Sequence, residues 1–374
     1  MNNKLKQVCE AFRIEGTYQG YEEIKVGNVN HTYKVTFLRG DGKKKSYIVQ
    51  QVNTYVFKKP VEVMENIDRV TEHIHAKTPG RIALHFHHTA DRKTYLFDEN
   101  GFWRLFNYIP SSTYNACENL EIVRNAGLAF GEFQMLLADF DAKQLHKTIP
   151  DFHNTRKRYE KLWADVAADL CGKVCEVTEE LAWLKSVEDK ACTLTDMHER
   201  GELPLRVTHN DTKINNVLFE RDGNQAIAVI DLDTVMPGLV GHDFGDAIRF
   251  AANFVEEDSP EVEKAGVNMD VFRAFTDGFL MRTASALTQN EIDTLDISCF
   301  ALAVELATRF LDDYILGSPY FKIDYPEHNL VRARCQIALA KDILKKMDEI
   351  RAIIQECARK YRSFKMERQA SVPF

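Results

Sequence analysis

The sequence predicts an α+β protein in which a small β-rich part precedes a larger, mostly helical part. In the first hundred residues, apolar and polar side chains alternate in short runs between turn residues, which is the pattern of half-buried strands. From about Leu120 onward, apolar residues recur at three- and four-residue spacing, which indicates helices. A Pro-Ser-Ser segment at 110–112 separates the two patterns, so we predict one domain over residues 1–108 and a second over 109–374.

The elements of the first part are predicted from local signals. Leu5, Val8, Cys9 and Phe12 share one helical face, and a further helix is expected to begin near Pro60 because proline is favoured in a first helical turn. Alternating residues and turn signals predict two hairpins, with strands at Thr32–Leu38, Ser46–Val52, Thr94–Phe97 and Phe102–Tyr108.

The second part is predicted to be helical apart from one short hairpin. Helices are expected over Ile122–Ala138, Ala247–Phe254 and Val331–Ala358. Asn216–Phe219 and Ala226–Ile230 are short apolar runs separated by turn residues, so they predict a hairpin with polar loops at both ends.

Composition argues against several classes of function. The formal net charge of −8 and the pI near 5.9 argue against binding to nucleic acid or to a membrane surface, because those partners favour clustered positive charge. The sequence contains no signal peptide and no apolar run of the roughly 18 residues that a membrane span needs. The eight cysteines lack zinc-site or disulfide spacing. We therefore predict a cytoplasmic protein that binds small molecules, with its oligomeric state left open.

The most informative segment is RVTHNDTKINNVLFE, which is followed by AIAVIDLDTV. Asp211 precedes Asn216 by five residues, and the predicted hairpin then delivers Asp231. Because a hairpin returns the chain to its starting point, these three side chains are expected to converge at one end of it.

Phosphoryl transfer needs such a set of side chains. A carboxylate must accept the proton of the attacking hydroxyl, and oxygen ligands must hold Mg²⁺ against the phosphates. We predict Asp211 as the base, and Asn216 and Asp231 as metal ligands. Loop-capping roles are the alternative for any one of them alone.

Three neighbouring residues have open interpretations. His209 is expected to support the loop rather than to move protons. Asp233 is equally compatible with a metal ligand and with an ion-paired loop carboxylate. Asp243 is expected either to cap the helix that follows it or to brace the catalytic loop.

A second candidate segment is GNVNHTY, between two strand-like runs of the first domain. Gly27, Asn28 and Asn30 would lie at a hairpin tip, where small residues let backbone N–H groups approach phosphates. An ordinary turn is the equal alternative.

These segments resemble the aminoglycoside phosphotransferase and choline kinase group, which is related to protein kinases. The resemblance rests on H-x-D-x₄-N followed by a strand ending in Ile-Asp, and it implies a two-lobed protein-kinase-like fold that uses ATP and Mg²⁺. Seven segments narrow it toward sugar kinases that phosphorylate N-acetylhexosamines at the anomeric hydroxyl: GNVNHTY, YIVQQVN, RVTHNDTKINNVL, VIDLDTVMPG, DFGDAIRF, RFLDDY and YPEHNLVR.

The resemblance also implies further contacts. Arg309 and Tyr320, together with Asp211, would contact the sugar, although Arg309 could equally pair with Asp312 or Asp313 on its own helix. The hinge at Phe106–Ile109 would offer backbone groups of residues such as Asn107 and Ile109 to adenine.

One position departs from the wider kinase pattern. The strand that carries the phosphate-binding lysine in kinases reads Tyr-Ile-Val-Gln-Gln here, and Gln50 can donate a hydrogen bond to a phosphate but cannot neutralise its charge. The similar sugar kinases share this Gln-Gln, so we interpret it as a subfamily trait. Without this lysine, the lysine–glutamate pair of kinases and any role of Glu65 or Glu72 in it stay open.

Two other hypotheses stay open at this stage. The acceptor could be another small alcohol such as choline, homoserine or an aminoglycoside, since cationic acceptors favour acidic pockets and Asp312, Asp313 and Tyr314 cluster. The chain could also be a catalytically silent nucleotide-binding module, which the missing lysine favours and the three retained polar residues oppose.

Overall fold

A computed structural model describes residues 1–25, 29–115 and 119–370, with side chains up to Ser363. The first part forms an antiparallel sheet in the order β1-β2-β3-β5-β4. Its strands are β1 Thr17–Ile24, β2 His31–Leu38, β3 Lys44–Val52, β4 Leu96–Asp98 and β5 Gly101–Asn107. Both predicted hairpins are confirmed: β2 pairs with β3, and β4 pairs with β5.

Two helices cover this sheet. Helix α1 (Asn2–Ala11) buries Leu5, Val8 and Cys9 against sheet residues such as Trp103, as its predicted apolar face requires. Helix α2 (Pro60–Lys77) begins with a proline in its first turn, as predicted, and buries its apolar stripe in a second cluster that also contains Leu232. Packing of α2 therefore reaches from the sheet to the loop that follows Asp231.

The second part is mainly helical. Its helices are α3 Leu120–Leu136, α4 Thr155–Ala168, α5 Thr178–Ala191, α6 Thr193–Glu199, α7 Val240–Ala251, α8 Met269–Thr283, α9 Gln289–Asp293, α10 Leu295–Ile315 and α11 His328–Ala370. The short strands are β6 Arg206–Thr208, β7 Val217–Phe219, β8 Ala226–Val229 and β9 Met236–Gly238, paired as β6-β9 and β7-β8. The predicted hairpin is β7-β8, whereas the β6-β9 pair was not predicted because three-residue strands show no periodicity.

Glycines allow α3 and α8 to pack closely. A Cβ at Gly127 would lie 2.3 Å from the Phe275 carbonyl oxygen, and one at Gly278 would lie 2.0 Å from the Arg124 carbonyl oxygen. Larger side chains would therefore force the two helices apart. This contact helps to fix the helical layer on which the β7-β8 hairpin rests.

One predicted boundary is wrong. Helix α7 begins at Val240 rather than at Ala247, so the Gly-His-Asp-Phe-Gly-Asp segment at 241–246 lies inside the helix. Gly245 is tolerated there because α10 approaches closely: a Cβ would lie 2.4 Å from the Ser298 carbonyl oxygen. Tertiary packing overrides the low helix propensity of the glycines. Among the described helices, none is both long and apolar enough to cross a bilayer.

Candidate active site

The loop after β6 is held by two carboxylates of helix α7. Asp243 accepts hydrogen bonds from the backbone N–H of His209 (2.9 Å) and of Asn210 (2.7 Å). Asp246 accepts one from the backbone N–H of Thr212 at 2.9 Å. Both carboxylates are buried, so these bonds are shielded from competing water. Of the two roles predicted for Asp243, its contacts match bracing of this loop.

His209 supports the same loop from inside. Its ring is fully buried and packs edge-on against Phe130 and Phe133. Nδ1 accepts from the backbone N–H of Asp211 at 3.3 Å, so the proton lies on Nε2, which is 2.8 Å from the carbonyl oxygen of Ile230. The ring thus joins the loop to the end of the hairpin, as expected of a supporting residue.

Asp211 lies between an amide and an ammonium group. Asn216 Nδ2 donates to the Asp211 carbonyl oxygen at 2.8 Å and lies 3.3 Å from its carboxylate. Lys213 Nζ lies 3.2 Å from the other carboxylate oxygen, and this proximity raises the pKa of Lys213. The carboxylate is about one quarter exposed (28%), so a substrate can reach it. Lys213 was not singled out from the sequence, although it lies only two residues after Asp211.

The hairpin brings Asp231 back to this point. The backbone N–H of Ile230 donates to the Asn216 carbonyl oxygen at 2.9 Å, and Asp231 then adopts a left-handed conformation with φ of 60°. This conformation is uncommon outside glycine and is tolerated best by Asp and Asn. The predicted convergence of Asp211, Asn216 and Asp231 at one end of the hairpin is therefore found.

The carboxylate of Asp231 lies close to those of Asp233 and Asp211. Its pKa is raised to about 7, because surrounding protein partly desolvates the group and Asp233 and Asp211 repel its charge. Solvent still reaches Asp231.

This environment fits a divalent cation. Asn216 uses its amide nitrogen toward Asp211, which leaves its carbonyl oxygen as a neutral ligand beside the Asp231 carboxylate. Oxygen donors of this kind suit Mg²⁺, and a cation would relieve the repulsion among the carboxylates.

Of the two roles predicted for Asp233, metal ligand and ion-paired carboxylate, its contacts match the ion pair. It is buried and receives both terminal nitrogens of Arg104, one of them at 3.0 Å. Asn30 Nδ2 donates to the same carboxylate at 2.8 Å, and Asn30 Oδ1 accepts from the backbone N–H of Asn53 at 2.9 Å. The predicted phosphate-side residue Asn30 is thus linked directly to the loop that carries Asp231.

Gln50 lies beside an arginine that the sequence did not single out. The register sets Thr32, Gln50 and Arg104 side by side across β2, β3 and β5. Gln50 Nε2 donates to the Thr32 hydroxyl at 3.0 Å, while its Oε1 accepts from Arg104 Nε at 2.9 Å. A cation therefore lies next to the position where kinases carry lysine, but it comes from the neighbouring strand. The signal was a charged residue in the otherwise apolar run Phe102–Phe106.

The hinge residues and the hairpin tip are less informative. The Asn107 side chain is occupied by the preceding segment, since Oδ1 accepts from the His85 backbone N–H and Nδ2 donates to the Ala83 carbonyl oxygen. Ile109 is buried, and its carbonyl oxygen accepts from the Ser111 hydroxyl. Gly27 and Asn28 lie outside the described residues.

A cavity of about 310 Å³ contains both predicted sugar contacts, and its lining residue Phe152 precedes His153, which contacts the loop after β6. The Arg309 guanidinium lies 5.5 Å from the ring centroids of Phe152 and Phe321. The cavity lining comprises Ile149, Pro150, Phe152, Arg158, Lys161, Thr308, Arg309, Asp312, Asp313, Leu316, Pro319, Tyr320 and Phe321.

His153, which follows the cavity residue Phe152, joins helix α10 to the loop that carries Asp211. One ring nitrogen lies 3.2 Å from the carbonyl oxygen of Asn210, and the other lies 2.9 Å from the Glu305 carboxylate. Burial disfavours ionisation of Glu305, but His153 and nearby arginines outweigh it and lower the pKa to about 2. The buried pair fixes α10 against the residue that precedes Asp211.

The acidic residues of the cavity have partners, although one buried carboxylate oxygen of Asp312 has no hydrogen bond among the described residues. Asp312 pairs with Lys161. Asp313 accepts from the backbone N–H groups of Tyr320 (2.9 Å) and Phe321 (3.0 Å). In the described part of the chain, no ion pair joins Arg309 to either aspartate, so its charge is directed to the aromatic rings and the cavity.

Comparison with known proteins agrees with this architecture. The model of the phosphotransferase enzyme family matches residues 21–275. An aminoglycoside phosphotransferase from Alicyclobacillus acidocaldarius is similar at a TM-score of 0.62 and 12% identity, over 94% of this chain and 96% of that one. A choline kinase from Cryptosporidium parvum is similar at a TM-score of 0.57 and 12% identity, over 92% of this chain and 97% of that one.

A third structure, a spectinomycin phosphotransferase in complex with ADP and spectinomycin, gives a TM-score of 0.53 at 13% identity, over 93% of this chain and 98% of that one. At these identities the likeness concerns the fold alone. That fold is the predicted two-lobed, protein-kinase-like one, with a small antiparallel sheet and a helical second part.

Proposed function

The chain belongs to the phosphotransferase enzyme family, and we propose that it transfers the γ-phosphoryl group of ATP to the anomeric hydroxyl of an N-acetylhexosamine, such as GlcNAc or GalNAc. The observation that carries the proposal is the contact of Asn216 Nδ2 with both the carbonyl oxygen and the carboxylate of Asp211, at the hairpin end that bears Asp231. In this proposal residues 1–108 cover the nucleotide, and residues 109–374 hold the metal, the base and the sugar.

Asp211 acts as the base. It orients the attacking hydroxyl and accepts its proton as the oxygen–phosphorus bond forms and the bond to ADP breaks. Lys213, 3.2 Å from the carboxylate, supplies positive charge beside the transferred group. Positioning and electrostatics would provide most of the rate enhancement.

Asn216 and Asp231 would hold Mg²⁺, which when bound neutralises charge on the phosphate oxygens. Asn216 contributes a neutral oxygen, so the site does not add a further negative charge next to the triphosphate. The ADP complex of the similar spectinomycin phosphotransferase supports use of an adenine nucleotide.

The cavity favours a neutral acceptor over a cationic one. Arg158 and Arg309 line it without an ion-pair partner in the part of the chain that the structure describes, whereas Asp312 pairs with Lys161 and Asp313 accepts backbone hydrogen bonds. An ammonium group would be repelled by the arginines, while hydroxyl and acetamide oxygens can accept hydrogen bonds from them. Choline and aminoglycosides are therefore less suitable acceptors than a sugar.

The volume of the cavity and its aromatic lining also favour a sugar as the acceptor. The cavity volume of about 310 Å³ is at the lower end of small-molecule sites, which span about 300–1,000 Å³. That space suits a single sugar ring better than a multi-ring aminoglycoside. The ring of Tyr320 is largely exposed (68%) and is available to stack on the sugar.

The test is a phosphate-transfer screen with Mg-ATP over GlcNAc, GalNAc, the free hexosamines, choline, homoserine and an aminoglycoside. ADP release identifies the acceptor, and ³¹P NMR locates the phosphate. We expect a sugar 1-phosphate from an N-acetylhexosamine. Turnover confined to an amine-bearing alcohol would reject the sugar proposal while retaining the kinase, and Mg-ATP binding without any transfer would favour a silent module.

A further inference from the structure

A cluster of histidine and glutamate side chains lies outside the proposed active site, between α2 and the extended segment that precedes β4. Glu72, His75 and His85 each direct one possible ligand atom to a common point, and these atoms lie within 4.8 Å of one another. The rings of His75 and His85 have centroids 5.7 Å apart. The cluster is accessible, because Glu72 and His85 are exposed and His75 is half-buried.

The backbone holds these side chains from two directions. Glu72 and His75 are three residues apart on α2, so they project from one face of the helix. The His85 backbone N–H donates to Asn107 Oδ1 at 2.7 Å, and its carbonyl oxygen accepts from the Asn107 N–H at 3.1 Å. A ligand shared by the three would therefore link α2 to the end of β5.

What distinguishes the cluster is that its side chains have no hydrogen-bond or ion-pair partner among the described side chains, those of residues 1–25, 29–115 and 119–363. The ring of His85 does contact that of His87, at 5.0 Å between centroids. Two other histidines nearby do have carboxylate partners: His73 lies 2.9 Å from Asp139, and His88 lies 3.6 Å from Asp68. Three converging polar groups without partners leave their ligand capacity free for a cation.

We propose that Glu72, His75 and His85 bind one divalent transition-metal ion, such as Zn²⁺ or Ni²⁺. Two imidazole nitrogens and one carboxylate oxygen form a donor set typical of such ions, and water can complete the coordination. The site differs in chemistry from the all-oxygen set of Asn216 and Asp231, which suits Mg²⁺.

The test is calorimetric titration of Ni²⁺ into the full-length protein in excess Mg²⁺, which keeps the oxygen-ligand site filled. The background variant Cys171→Ser/Cys175→Ser removes two exposed thiols that bind soft metals. We expect one Ni²⁺ site and a Tm increase of about 2 °C or more when it is saturated.

Loss of the ligands identifies the site. His75→Ala/His85→Ala should weaken Ni²⁺ binding by about tenfold or more and abolish the Tm increase. His88→Ala, which removes a neighbouring histidine already paired with Asp68, should leave both unchanged. Unaltered Ni²⁺ binding by the double variant, or no binding by the background protein, would overturn the proposal.

A second, independent observation concerns Arg104, and the inference rests on the proposed kinase function. In protein kinases a lysine pairs with a glutamate of the helix that corresponds to α2. Here α2 presents Met64, whose sulfur lies 3.8 Å from Arg104 Nη1. Glu65 instead pairs with His146 at 2.6 Å.

We infer that Arg104 and Asp233 replace the lysine–glutamate pair and act as positioning residues for the nucleotide. Arg104 is only 3% exposed, so it acts through its partners rather than on the phosphates. The pair joins β5 to the loop of Asp231, and Asn30 shares the same carboxylate. One buried ion pair thus holds the loop that carries Asp231 against Asn30, which directly precedes β2.

Mg-ATP binding measured by calorimetry tests this without reference to the acceptor. Arg104→Gln should weaken Mg-ATP binding by about tenfold or more, and Arg104→Lys should restore part of the affinity. An unchanged affinity in Arg104→Gln would overturn the inference, whereas failure of the sugar assignment alone would leave this result intact.

Arg104→Gln leaves a buried carboxylate unpaired and can unfold the protein. The neutral double variant Arg104→Gln/Asp233→Asn avoids that cost. A purely structural pair predicts wild-type Mg-ATP affinity in the folded double variant, and this outcome would contradict the inference. A positioning pair predicts that the Tm recovers while the affinity stays about tenfold low.

Discussion

The loop proposed to be catalytic and the cavity proposed to bind the acceptor are built in different ways. The loop uses residues close in sequence, from Thr208 to Asn216, and buried carboxylates of α7 hold its backbone. The cavity is assembled from distant segments around 149–161 and 308–321, and its central Arg309 lies between aromatic rings rather than in an ion pair. Buried hydrogen bonds keep the geometry of the loop fixed. Side chains on the cavity wall can determine which acceptor binds without disturbing that geometry.

This comparison predicts that changes in the loop reduce turnover, while changes in the cavity alter acceptor affinity. The largest effect is expected for Asp211→Ala, which removes the proposed base. We expect kcat to fall by about 10²–10⁴-fold while Mg-ATP affinity, measured by calorimetry, is retained. The control is Asp222→Ala, at the exposed turn at the other end of the hairpin, and near-normal transfer by Asp211→Ala would show that the base is misassigned.

Removal of the loop's support should have the next largest effect. Asp243→Ala leaves the buried N–H groups of His209 and Asn210 without an acceptor, at about 1–3 kcal/mol each. We expect urea denaturation to show a loss of about 2–6 kcal/mol in the free energy of unfolding and kcat to fall by about tenfold or more. Asp243→Asn keeps one acceptor oxygen and should show a smaller loss. A fully active, folded Asp243→Ala protein would contradict the idea that rigid support of the loop matters.

The cavity should respond differently. Arg309→Met should raise the acceptor KM by about tenfold with little change in the ATP KM, because the lost contacts concern only the sugar. Steady-state kinetics with each substrate varied in turn gives both constants. Arg332→Met is the matched control, since Arg332 also lies over an aromatic ring, that of Phe310, but does not line the cavity. Equal changes in both KM values would contradict the prediction that Arg309 affects only the acceptor.

The smallest expected effect concerns stability. The pKa of Asp231 is about 7 in the folded protein, above that of an unfolded aspartate, so ionisation destabilises the fold as pH rises from about 4 to 7. In the absence of Mg²⁺ and ATP, Asp231→Asn should raise Tm at pH 8 by about 1–2 °C, a small figure because solvent screens this residue.

At pH 5 the same substitution should raise Tm by less than at pH 8, since the folded carboxyl group is then protonated and only ionisation of the unfolded chain still contributes. Thermal denaturation at both pH values checks the sign. A Tm of Asp231→Asn below the wild-type value at pH 8 would show that the carboxylate stabilises the loop rather than straining it.

Much of the site was predictable because its residues form one short motif. Asp211, Asn216 and Asp231 converge through a hairpin whose strands and turn have clear sequence signals. Helix α7 was predicted too short, since glycines at 241 and 245 resemble loop residues until α10 packs against them. Lys213 was overlooked although it belongs to the same motif.

Contacts between distant segments had no such signal. The pairing of Arg104 with Asp233 joins residues 129 positions apart, and that of His153 with Glu305 joins residues 152 apart. The sequence alone left Asp233 equally compatible with a metal ligand and an ion pair, and only its buried arginine partner distinguishes the two.

By itself, the sequence determined the two-part organisation, the strands and helices with clear periodicity, and the three polar residues at the end of the β7-β8 hairpin. These depend on interactions between near neighbours, which residue spacing records. Only the tertiary structure decided which cation lies beside Gln50, which partners the acidic residues of the cavity have, and where Glu72, His75 and His85 meet. Those features depend on approach of distant segments, which burial of the core imposes and which no local pattern encodes.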